Sequence, residues 1–135
     1  MSAPTLIVSL DFELFWGMQD VLELHEYEAN ILGGKAAIPR MLALFEKHGI
    51  HATWATVGYL FGKNEDELRR YFPAELPGYD DPKLSCYRCF GSMGTDEESA
   101  PCYYGRSLLD RIVAAEGQEL GSHTFSHYYC RAGKH

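Results

Sequence analysis

A short apolar run near the N-terminus, Thr5-Leu6-Ile7-Val8-Ser9-Leu10, stops abruptly at two acids, Asp11-Phe12-Glu13. An unbroken run of β-formers, without polar alternation, predicts a strand buried on both faces, as in a parallel sheet. A carboxylate closing such a strand is costly to bury without a partner. On a strand, residues two apart share a face, so Asp11 and Glu13 point to one side. The plainer reading has Asp11 capping the next turn.

The following pattern supports a parallel α/β arrangement. Leu14 to Ala29 reads as a loop with a helical turn, and the aromatics of Leu14-Phe15-Trp16-Gly17 either line a cleft or pack as a lid. Gly33-Gly34 then opens a helix in which Ile38, Met41, Leu42 and Phe45 form one apolar stripe, and Gly49 is placed as its cap. Ile50 to Val57 reads as a second strand, with His51 at its start. Strand, helix, strand implies a right-handed parallel crossover. Functional groups in such folds gather at the C-terminal strand ends, which argues against His51.

Residues 73–104 lose apolar periodicity and collect Pro and Gly, so they read as an insertion. They hold Cys86, Cys89 and Cys102, while Cys130 lies near the C-terminus. Cys86-Tyr87-Arg88-Cys89 has the spacing of half a zinc ribbon with Cys102 as a third ligand, but the usual second pair is absent. Free thiols in a surface loop are the preferred reading. Order returns with a helix carrying Leu108, Leu109, Ile112, Val113 and Ala115, ending near Gly117, and with a third strand, Gln118 to Ser122.

That strand runs into Gly121-Ser122-His123-Thr124-Phe125-Ser126-His127. Two histidines four apart can point the same way from a helical turn, giving half of a divalent-metal site. They fall on the same sheet edge as Asp11 and Glu13.

Composition narrows the partners. The 135 residues suit one domain, and a net charge of -7 without a Lys/Arg cluster disfavours nucleic acid. No apolar run approaches a membrane span, and the N-terminus has no basic, apolar leader, so the chain reads as cytoplasmic.

With both ends placed, the chain resembles the polysaccharide deacetylase (NodB-homology) carbohydrate esterases. His123-Thr124-Phe125-Ser126-His127 matches that family's H-[ST]-x-x-H motif in full, and Asp11 and Glu13 stand where its first acidic motif ends the first strand. The common form has adjacent aspartates, whereas here the acids are two apart. The resemblance implies a distorted (β/α) barrel, of which 1–135 is a partial catalytic domain, an N-terminal part too short to close a barrel alone. It implies a metal-dependent hydrolase that removes N-acetyl or similar acyl groups from a sugar or polysaccharide. A divalent metal, zinc by expectation, sits on His123, His127 and Glu13, with Asp11 as general base. The reverse assignment of the two acids stays open. Thr124 ties the turn, and Trp16 and Tyr128 are candidates for the substrate groove. The family's later motifs, an orienting arginine and a general-acid histidine, match no residue here, and His135 belongs to neither. Three alternatives are a metal- or glycan-binding remnant without turnover, a hydrolase of a non-sugar amide, and a zinc module on the cysteines.

Overall fold

The structure is a computed structural model that describes residues 4–133. His135 lies outside the described residues. A three-stranded parallel sheet in the order β1-β2-β3 is its frame, with β1 at Ser9–Phe12, β2 at Ala52–Thr56 and β3 at Gln118–Ser122. Helix α1, Leu24–His48, connects the first two strands. Helix α2, Glu65–Arg69, and helix α3, Arg106–Ala114, lie in the second crossover with the insertion between them. The fold is thus a small α/β domain, and the described strands form an open sheet.

The first strand is shorter than its apolar run. Ser9 pairs with Thr53, and β2 begins only one residue earlier, so no strand lies beside residues 5–7. Leu6 and Ile7 are consequently exposed, at 88% and 82%, against the expectation of burial on both faces.

Helix α1 starts about ten residues before Gly33-Gly34. The Glu26 carboxylate accepts the backbone N–H of Glu23 at 2.9 Å, a box-type start that satisfies one amide at the helix entrance. Leu24, Tyr27 and Ile31 extend the buried stripe backwards, and their packing outweighs the roughly 1 kcal/mol that each interior glycine costs. Gly49 stops the helix in the left-handed conformation, φ 61°, as its position predicts.

The insertion is the largest departure from expectation. It forms short turns at Pro82–Leu84 and Cys86–Cys89, and it buries Cys86, Cys89, Met93, Ala100, Cys102, Tyr103 and Tyr104. These side chains close over Trp16, which is 0% exposed. Its indole Nε1–H donates to the Tyr103 carbonyl at 2.8 Å, and its ring meets Tyr59, Phe90 and Tyr103. Trp16 is therefore a core residue, which removes it from the groove. Cys86, Cys89 and Cys102 are buried free thiols rather than surface ones, and only Cys130 is exposed. Burial pushes the Cys86 thiol up to about 12, an environment that opposes a metal-binding thiolate. Among the described residues, the cysteines join no group of converging metal donors.

Lys35 fastens this layer to α1. Its ammonium donates to Glu97 Oε1 at 2.9 Å and to the carbonyls of Pro101 and Tyr104, both at 2.8 Å. No helix among the described residues is long and apolar enough to cross a membrane.

Candidate metal centre

All three strands end at one edge, and the polar residues collect there. Glu13 follows β1 directly, and His123 follows β3 directly. Their side chains, with His127, bring three potential ligand atoms within 4.8 Å of one another. Glu13 Oε2 lies 3.2 Å from His123 Nε2 and 3.1 Å from His127 Nε2. Donors about 2.0–2.1 Å from a tetrahedral ion stand about 3.3 Å apart, so both spacings suit a small divalent cation. Two imidazole nitrogens and one carboxylate oxygen are also a common zinc donor set.

The histidines converge without a helical turn. Residues 123–129 form no helix, and both Thr124 (φ 61°) and His127 (φ 52°) adopt the left-handed conformation. Such backbone is costly for a residue with a side chain and persists only when its surroundings enforce it. Here β2 and the turn that follows it, Gly58–Phe61, enforce it. The His123 N–H donates to the Thr56 carbonyl at 2.9 Å, and the amides of Gly58 and Tyr59 donate to the carbonyls of Thr124 and Phe125 at 2.9 and 3.1 Å. Thr124 Oγ1 accepts the Tyr128 N–H at 2.7 Å, bridging the segment between the two imidazoles and beyond.

Two glycines give the site room. A Cβ on Gly58 would stand 2.7 Å from the Phe125 Cα, so only glycine lets the histidine loop lie so close to the turn after β2. A Cβ on Gly17 would overlap the Glu13 carboxylate, which rests against that bare backbone.

The electrostatics follow from the contacts. The hydrogen bond from His127 holds the Glu13 carboxyl below its ordinary value, outweighing the opposing effect of burial. The same bond holds His127 above its ordinary value. In this state a shared proton and the carboxylate charge occupy the space a cation would take.

Asp11 stands at the outer side. Its side chain is 60% exposed, and Oδ1 is 4.0 Å from His123 Nδ1. Ser122, His123, Thr124, His127 and Tyr128 line an open cavity of about 250 Å³ beside the donors. Tyr128 thus borders the site, while His51 lies at the far end of the sheet against Gly117.

Sequence reasoning missed the close-approach roles of Gly17 and Gly58. A glycine three residues after a candidate ligand, or directly after an apolar strand, is a usable signal for close approach. Comparison with protein-family models, with curated proteins and with solved structures gives no match for this chain.

Proposed function

We propose that the chain carries the metal centre of a polysaccharide deacetylase-like hydrolase, which cleaves an N-acetyl or similar acyl group from a sugar. The observation that carries this reading is the convergence of Glu13, His123 and His127, drawn from opposite ends of the sequence. Their setting at the C-terminal ends of parallel strands supports it, because that is where such folds build active sites. The full H-[ST]-x-x-H motif and the acid pair two residues apart supply the family assignment, with β1 to β3 as consecutive strands of a distorted (β/α) barrel.

Zinc is the cation expected, and when bound it supplies Lewis acidity to an acyl carbonyl and to a water molecule. The protein's own groups do the rest. Glu13 neutralises part of the ion's charge and, held against Gly17, keeps its carboxylate oriented. Asp11 is exposed beside His123 and accepts a proton from the attacking water as general base. Ser122 and Tyr128 border the space in which an acylated sugar ring sits.

The test measures bound zinc and acetate released from N-acetylated oligosaccharides. His127→Ala should lose both. Asp11→Asn should retain zinc and slow acetate release by roughly 10²–10⁴-fold, the usual contribution of a positioned base. Zinc content and turnover both unchanged in His127→Ala would sink the proposal. Zinc binding with no turnover on any acylated sugar points instead to a binding role.

A further inference from the structure

The histidine loop runs on into two adjacent tyrosines, and the insertion comes back to meet them. Tyr128 borders the open cavity of about 250 Å³ that His123 and His127 also line. The Tyr79 hydroxyl, 50 positions earlier in the sequence, accepts the Tyr129 N–H at 3.3 Å. The Tyr79 ring stands 6.0 Å from that of Tyr128, tilted by 46°, and 6.3 Å from that of Tyr129 at 84°. Both separations lie in the range of favourable aromatic pairs, whose centroids are ~4.5–7 Å apart.

Tyr128 is held at three points. Its N–H donates to Thr124 Oγ1 at 2.7 Å. Its phenol lies against Gly133, where any added side chain would overlap it. Its ring has Tyr79 beside it. The first two supports belong to the C-terminal segment itself, and the third comes from the insertion. Tyr79 is anchored in turn. Two residues on, Asp81 accepts the Lys83 N–H at 2.9 Å, and the Lys83 carbonyl accepts Nε2–H of the buried Gln19 at 2.8 Å.

A tyrosine side chain joins an apolar ring to a polar tip. A pyranose has the matching character, with C–H groups on its faces and hydroxyls at its edge. A ring already fixed in place costs less entropy to use in binding than one that must be ordered.

We propose that Tyr79 is a positioning residue for substrate: it holds the Tyr128 ring at the rim of the donor cavity, where that ring takes the apolar face of the acylated sugar. This deepens the sugar-deacylase reading and rests on it. It gives the insertion a part in substrate recognition besides its packing around Trp16.

The test uses the full chain loaded with zinc and the N-acetylglucosamine tetramer as probe. KM and kcat for acetate release are measured in the parent, Tyr79→Phe, Tyr79→Ala, Tyr128→Ala and the variant carrying both alanines. Exchange of the Tyr129 amide is followed by NMR. Tyr79→Phe loses only the hydroxyl acceptor, and should raise KM roughly 2–12-fold and speed exchange of that amide. Tyr79→Ala loses the ring as well and should raise KM further. The loss should fall in KM rather than kcat, because ground state and transition state share the contact. In the Tyr128→Ala background, Tyr79→Ala should add less than about twofold, because the ring it positions is gone. An equal effect of Tyr79→Ala with and without the Tyr128 ring overturns the proposal, since a merely structural role would act in both. KM within about twofold of the parent in Tyr79→Ala also overturns it, as does a Tyr129 amide that exchanges at the parent's rate in Tyr79→Phe. If Tyr79→Ala does not fold, Tyr79→Phe takes its place in the same cycle with Tyr128→Ala. A parent that releases no acetate overturns this inference and the reading beneath it together. An active parent whose Tyr79 variants match it overturns this inference alone.

Discussion

Residues 73–104 and residues 123–129 are both irregular, with short turns at most, yet they are held by opposite means. The first segment buries thiols and aromatic rings around Trp16, and its order comes from packing. The second buries only Ser126, carries two left-handed non-glycine residues, and is strapped to β2 and the turn after it by backbone hydrogen bonds. Packing tolerates changes of side chain at constant volume, whereas a strap depends on atoms that cannot be exchanged. The difference separates what keeps the domain folded from what aims its chemistry.

Breaking the first segment should have the largest effect. Trp16→Ala removes the indole on which the insertion closes, and a cavity of that size costs about 3–5 kcal/mol. That is a large share of the stability of a domain this small. Urea denaturation followed by circular dichroism should show a large drop in the midpoint. A midpoint near that of the parent would mean that the insertion folds without its indole.

Gly58→Val attacks the strap alone. Its side chain collides with the Phe125 backbone, so the histidine loop must move, at about 1–3 kcal/mol for overpacking. The far-UV spectrum should persist while zinc affinity falls. Equal zinc affinity in this variant would show that the loop reaches its geometry without close contact to the turn after β2.

The smallest effect is the charge pairing inside the metal-free site. Glu13 is held below its ordinary 4.5, so its stabilisation is present above pH 4.5 and fades as pH falls through the lowered value. His127 is held above its ordinary 6.5, so its stabilisation is present below pH 6.5 and fades as pH rises through the raised value. The pair therefore contributes most between pH 4.5 and 6.5, by at most about 1 kcal/mol for partly exposed groups. Denaturation of the zinc-free chain against pH should show this maximum, and His127→Gln should flatten it. A parent profile as flat as that of the variant would mean that the two groups do not pair in solution.

The same contrast explains what was legible in the sequence. Strand β2 lies inside the predicted stretch because β-formers between turn residues give a local signal, and β3 falls at Gln118–Ser122 as read although its composition is weak for a strand. The start of α1 was misplaced because two glycines looked like an entrance, whereas the Glu23–Glu26 contact and the packing of Ile31 carry the helix past them. Burial of the insertion has no period, so its cysteines read as surface. At the site, the residue types Glu13, His123 and His127 were legible, but the left-handed backbone that brings the histidines together was not. A threonine or histidine with positive φ leaves no mark in composition, since its cause is the hydrogen bonds to β2 and the turn after it.

The contact between His127 and Glu13 spans 114 positions of sequence. A ribosome adding about 5–20 residues per second takes roughly 6–23 seconds to travel that distance. Until residue 123 is made, Glu13 lacks both imidazoles of the proposed site, although His25, His48 and His51 are already present. The donor set of the proposed site is therefore complete only after all three strands have been made, since His127 follows β3.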